Sequence, residues 1–124
     1  MAGITVKDFD QPDERRAPDK TDLAIVEVGP IKLGRMTLQP GWRWSECIKP
    51  VVGGESCQVH HIGYCESGTL HVEHTDGTSV DLGEGDAYEI KPGHEAWVVG
   101  DAPFIGFELD QSAVQMYATQ MPKA

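Results

Sequence analysis

The chain has 124 residues, enough for one domain with its own core and no room for a second. It carries 10 basic and 20 acidic residues, a formal net charge of −10, which argues against nucleic acid or an anionic membrane as partner. Hydrophobic residues at 40% mark a globular protein, and 14 Gly with 8 Pro favour many short elements over long helices.

No run approaches ~18 consecutive apolar residues, so no membrane span is expected. The opening residues, MAGITVKDFDQPDERR, lack the basic–apolar–small order of a signal peptide, and a cytoplasmic location is the expectation. The cysteines are Cys47, Cys57 and Cys65. An odd number suits free thiols in a reducing compartment better than a disulfide framework.

Residues 1–21 read as a polar, extended arm with one short strand around Ile4–Val6, able to pair with a neighbouring subunit. Residues 22–110 carry the strand signals. Asp22–Val28 is apolar and ends at Gly29-Pro30, and Ile31–Leu38 alternates apolar and polar as a half-buried strand does. Trp42–Lys49 alternates too, which predicts a strand with Trp42, Trp44, Glu46 and Ile48 on one face and Arg43, Ser45, Cys47 and Lys49 on the other. Pro50–Gly54 reads as a loop, and Ser56–Cys65 as the next strand. Thr69–His74 and Thr78–Leu82 form a hairpin across Asp76-Gly77, a strong two-residue turn signal. Ala87–Ile90, Glu95–Val99 and Phe104–Leu109 complete the strands. The tail, 111–124, holds a short helix over Gln111–Gln120 with Val114, Tyr117 and Ala118 on one face. Such a pattern describes an all-β sandwich or barrel.

Cys57 and His61 lie four apart on an expected strand, so both leave the same face. Cys47 can face them from the preceding strand, and His94 follows the Pro92-Gly93 turn. Two thiols with one or two imidazoles can hold a borderline or soft divalent metal. The competing reading is core packing, since cysteine is among the most buried residue types. Cys65 fits that role best. His60 points away from His61, and His71 and His74 flank an exposed hairpin, so these three read as surface or packing residues. Trp42, Trp44 and Trp97 read as core or interface aromatics. No serine-hydrolase, P-loop or dinucleotide motif occurs.

The stretch Tyr64–Asp86, YCESGTLHVEHTDGTSVDLGEGD, resembles the glycine and hairpin framework of the cupins. IKPGHEAW at 90–97 resembles the segment that carries their last histidine, and PGWRWSECIK at 40–49 resembles the start of their first motif. The resemblance implies a jelly-roll β-barrel, to which the extended N-terminal arm and the short C-terminal helix read above are added; together with an arm too polar to have its own core, it implies a homodimer. Cupins generally bind a divalent metal through three histidines and a glutamate. Carried onto this chain, those positions fall on Cys47, Lys49, His61 and Ala96, with His94 two residues before the last, so the usual set is absent.

Two outcomes follow. The pocket has rebuilt its site from Cys47, Cys57, His61 and His94, with Glu46 or Lys49 near a bound small molecule. Zinc is then favoured, with iron, nickel or copper as alternatives. Otherwise the barrel is a metal-free binding or sensing module in which Lys49 faces an anionic ligand. A third idea is redox sensing through Cys47 and Cys57.

Overall fold

The computed structural model describes residues 3–123. Nine strands and three helices follow in the order β1 (Glu14–Arg16), β2 (Thr21–Val28), β3 (Ile31–Leu38), α1 (Trp44–Cys47), α2 (Lys49–Val52), β4 (His61–Ser67), β5 (Leu70–His74), β6 (Ser79–Leu82), β7 (Ala87–Ile90), β8 (His94–Val98), β9 (Phe104–Glu108) and α3 (Gln111–Gln120). They form two antiparallel sheets, one of six strands in the order β1-β2-β3-β9-β4-β7 and one of three in the order β6-β5-β8. Both sheets feed one apolar core. Leu23, Ile25, Met36 and Phe104 come from the larger sheet, and Leu70, Val72, Ala96 and Val98 from the smaller. Phe104 is fully buried, and truncating it to alanine would cost about 3–5 kcal/mol. The arrangement is an all-β jelly roll. No described helix is long and apolar enough to cross a membrane.

Period-2 alternation places β3 and β7 where the residues dictate, and α3 occupies the expected Gln111–Gln120. That helix starts at Asp110, whose Oδ1 accepts the N–H groups of Ser112 and Ala113 at 2.9 and 3.1 Å. Its buried residues Ala113, Val114 and Tyr117 form one stripe.

Three expectations are corrected. Ile4–Val6 forms no strand; both apolar side chains stand over 80% exposed, because no other strand runs alongside to accept their backbone bonds. The strand of this region is β1, which pairs with β2 of its own chain. Arg16 then donates to the Ala118 carbonyl at 2.7 Å, tying β1 to the end of α3. Trp42–Lys49 is largely helical. Trp44, Cys47 and Ile48 are buried at the i, i+3, i+4 spacing of a helix, and Pro50 sits in the first turn of α2, where its missing N–H does no harm. The strand expected over Ser56–Cys65 begins only at His61, and before it Cys57 makes a single bridge to His94.

The polar N-terminal segment lies on the outer face of the six-stranded sheet. Phe9 meets Phe107 at 5.3 Å between ring centres, and Arg35 lies over Phe9 while donating to Asp10 at 3.0 Å.

Candidate metal centre

Three elements converge inside the barrel. His61 opens β4, and its side chain turns inward. His94 opens β8 behind the Pro92-Gly93 turn, where Gly93 has φ +101°, a conformation that disfavours any side chain. Cys57 is clamped to that turn by its backbone. Its N–H donates to the His94 carbonyl at 2.7 Å, and its own carbonyl accepts from Gly93 at 2.7 Å and His94 at 3.2 Å. Cys57 Sγ lies 4.0 Å from His61 Nε2, and the two imidazoles meet edge-on with ring centres 5.1 Å apart. One ligand atom from each of Cys57, His61 and His94 lies within 4.8 Å of the others, and all three residues are buried.

The imidazoles are oriented from behind. His61 Nδ1–H donates to Glu108 Oε1 at 2.5 Å, and His94 Nδ1–H donates to the Lys91 carbonyl at 2.9 Å. A carboxylate and a carbonyl only accept, so the proton sits on Nδ1 in each ring and Nε2 is left as the ligand atom. Glu108 has no solvent exposure. It survives there because four donors surround it. The Tyr117 hydroxyl stands 3.3 Å from Oε1, and Oε2 accepts the N–H groups of Ile62 at 3.0 Å and Asp110 at 3.3 Å.

Charge and burial compete at these groups. Burial opposes a Cys57 thiolate, yet the hydrogen bonds and charges of His61 and His94 outweigh it and lower the thiol to about 6. Burial also opposes an imidazolium at His61, but the Cys57 sulfur and then Glu108 raise it to about 9. Burial, and then Glu108, hold the Tyr117 phenol well above its ordinary value. Without a metal, the pair therefore favours thiolate and imidazolium.

Beside the three residues lies a cavity of about 70 Å³, walled by apolar side chains such as Leu23, Leu38, Ile48, Leu70 and Met116. That is room for a few waters or one small molecule.

The other expected site residues go elsewhere. Cys47 lies on α1, outside the group formed by Cys57, His61 and His94, and its sulfur contacts Asp19 Oδ2 at 3.7 Å. Glu46 and Lys49 face solvent, so neither reaches the interior to hold a ligand. The reason is common to all three: this segment repeats every 3.6 residues, not every two, so strand parity assigns its faces wrongly. Cys65 is fully buried, as a core residue. Two groups behind His61 escaped the sequence reading. Glu108 shares the parity of Phe104 and Gly106 along β9, which was the available signal of an inward carboxylate. Tyr117 was placed on the apolar face of α3, but nothing local tied its hydroxyl to a histidine.

No protein-family model matches the sequence, and no curated protein matches it. Solved structures do. A protein of unknown function from Rhizobium leguminosarum bv. viciae 3841 aligns at TM-score 0.59 and 18% identity, covering 86% of this chain and 96% of that one. KdgF from Halomonas sp. aligns at TM-score 0.56 and 20% identity, covering 85% and 94%. The cupin domain of Drosophila melanogaster CENP-C aligns at TM-score 0.54 and 18% identity, covering 77% and 68%. The fold is that of a cupin. At such identities the likeness is one of architecture alone, and function has to be argued from the interior of this cupin barrel.

Proposed function

We propose that the cupin barrel holds one divalent transition metal on Cys57, His61 and His94 and binds a small molecule in the adjoining cavity. The observation that carries this reading is the approach of three buried ligand atoms to within 4.8 Å of one another. Bonds of about 2.3 Å to sulfur and about 2.0 Å to nitrogen in a tetrahedral zinc site put the two ligand atoms about 3.5 Å apart. The 4.0 Å between Cys57 Sγ and His61 Nε2 is a small closure away from that. One thiolate and two imidazoles favour zinc, with iron, nickel or copper next, over magnesium or manganese.

With these three residues as ligands, a tetrahedral metal would keep a fourth position for a ligand from outside the chain. Held by Cys57, His61 and His94, it would supply a Lewis-acid centre. The chain does the rest. Glu108 keeps the proton on His61 Nδ1 and fixes the ring, the Lys91 carbonyl does the same for His94, and the apolar wall limits water. A second reading rests on the line from Cys57 through His61 to Glu108, with gaps of 4.0 and 2.5 Å. Without metal, that is the order of a nucleophile, its base and an orienting carboxylate.

Metal analysis of the purified protein tests the choice. About one equivalent is expected, lost in His61→Ala and retained in Cys47→Ala and Lys49→Ala. Less than about a tenth of an equivalent after reconstitution would refute the metal reading and leave the thiol one. The proposal includes a homodimer, supported by exposed Ile62 and Tyr64 beside Phe107 on the outer sheet face. Sedimentation at twice 13.6 kDa is the expected result, and a monomer at all concentrations would refute it.

A further inference from the structure

The two sheets have four edges, and two of them are covered by this chain's own residues. The outer side of β1 is met by the C-terminal segment, through the Arg16–Lys123 bridge and the Ala17 N–H, which donates to the Pro122 carbonyl at 2.9 Å. The outer side of β8 is met by Trp42 and Arg43, through the Arg43–Trp97 bridge and the Val98 N–H, which donates to the Trp42 carbonyl at 3.0 Å. Among the described residues nothing pairs with the outer sides of β6 and β7. An unpaired strand edge is a template for another strand. Between these two edges lies a cleft of about 210 Å³, lined by Val72, Val80 and Ile90 and flanked by Asp76, Glu89 and Lys91. That is more room than the ~150 Å³ that accepts benzene. Ile90 lines the inner cavity as well, so whatever fills the cleft backs a wall of the candidate metal site.

The chain carries a segment of matching character. Ile4 and Val6 are 82 and 84% exposed, more than any other large apolar side chain described. In an extended strand both would leave one face, with Thr5 on the other. Among the described residues the backbone from Gly3 to Lys7 makes no hydrogen bond. Its one charge is Lys7. In the cleft, Asp76 and Glu89 outnumber Lys91, so the signs are complementary. An ammonium has three donors, and Lys7 can share them between Asp13 of its own chain and a further carboxylate.

The segment cannot serve its own cleft. A turn closed by the Gln11 N–H on the Asp8 carbonyl reverses the arm, and Lys7 meets Asp13 at 2.9 Å. Asp13 in turn is bonded to β2, its N–H to the Ile25 carbonyl at 2.9 Å and its Oδ2 to the Glu27 N–H at 2.7 Å. In the strand order β7 lies four places from β2, about 19 Å away, whereas Thr5 reaches at most about 7 Å beyond Lys7. A second copy removes the difficulty. Stacking two outer sheet faces about a two-fold axis along the strands sets the β2 side of each copy over β7 of the other. The same operation brings together the exposed Ile62 and Tyr64 of the two faces.

We infer that Ile4–Val6 of one copy adds as a strand to the free edge of β7 in a second copy, with Ile4 and Val6 seated against Val72, Val80 and Ile90, and that the exchange is reciprocal. This names the contact that holds the homodimer proposed above and rests on that reading; it does not depend on the metal.

Sedimentation of the full chain and of two variants tests it. Ile4→Asp strikes the arm and Val80→Asp the cleft, and each is expected to weaken dimerisation at least about 100-fold, since every dimer contains the altered contact twice. If Val80→Asp fails to fold, Ile4→Asp, which lies outside every sheet and helix, carries the comparison. Cross-linking supplies the direction of the exchange. Ile4→Cys and Val80→Cys proteins, mixed and oxidised, are expected to form a disulfide between the two variants, and the double variant Ile4→Cys/Val80→Cys to link between chains. No mixed disulfide, or a link within one chain of the double variant, would overturn the inference. A dimer of unchanged affinity in Ile4→Asp overturns it alone and leaves the homodimer standing on its outer faces. A wild-type monomer at all concentrations overturns both.

Discussion

His60 and His61 are neighbours on the chain, and each presents Nδ1 to a carboxylate oxygen 2.5 Å away. His61 points into the barrel toward Glu108, which has no exposure, while His60 points outward between Asp110 and Glu89, with a second contact of 2.9 Å to Glu89. The same two residue types therefore make two different devices. Inside, the carboxylate selects a tautomer and turns Nε2 toward a sulfur. Outside, water screens the pair, and its work is to brace the start of β4 against β7 and the cap of α3. The lesson is that a histidine–carboxylate pair has no fixed meaning; burial and the third neighbour decide it.

The largest effect expected from breaking this contrast comes from Glu108→Ala. It strips the buried partner from His61 and should destabilise the fold by about 3–5 kcal/mol in urea titrations. Glu108→Gln keeps the volume, and should fold while binding zinc about 10- to 100-fold more weakly in chelator competition. A zinc affinity unchanged in Glu108→Gln would mean that the carboxylate has no part in orienting His61.

Asp110→Ala comes next. It removes the helix cap as well as one partner of His60, and a loss of about 1 kcal/mol is expected from the cap. The Asp110 carboxyl is lowered to about 2, by the Ser112 hydroxyl first and His60 after it. Its stabilising effect is therefore complete above the ordinary aspartate value of 3.8 and fades as pH falls toward 2. Acid melts of the Asp110→Ala variant should lack that component.

The smallest effect belongs to His60. Its bonds to Glu89 and then Asp110 raise it above 6.5. The stabilisation is then whole below pH 6.5 and disappears as pH rises through the folded-state value. A His60→Gln variant should lose this slope in denaturation midpoints taken across that range. A slope that persists would locate the titration in another group, His71 between Asp81 and Glu73 being raised in the same way.

Local pattern carried much of the fold. Ile31–Leu38, Ala87–Ile90 and Gln111–Gln120 follow directly from alternation, from glycine and proline punctuation and from an apolar stripe. Trp42–Lys49 did not, because a run of eight residues satisfies both periods. Trp44 with Cys47 and Ile48 fits a helix as well as Trp42 with Trp44 fits a strand. The site divides along the same line. Cys57 and His61 meet as their spacing implied, although a backbone bridge to His94 rather than one continuous strand brings them together. Glu108 and Tyr117 lie 47 and 56 residues beyond His61 along the chain, and only the folded sheet and the docking of α3 bring them to it.

The pair of glycines at 63 and 106 also says where this molecule is free to change. A methyl group at Gly63 would run into the main-chain oxygen of Phe107, and a sheet cannot step aside the way a side-chain tip can. That wall is closed to tinkering. The cavity is lined as well by side chains on and beside the helices, Trp44, Ile48, Met116 and Met121, two of them pliant thioethers. Descendants of this chain that acquire new guests should carry their replacements there, on the yielding side, while the rigid side stays as it is.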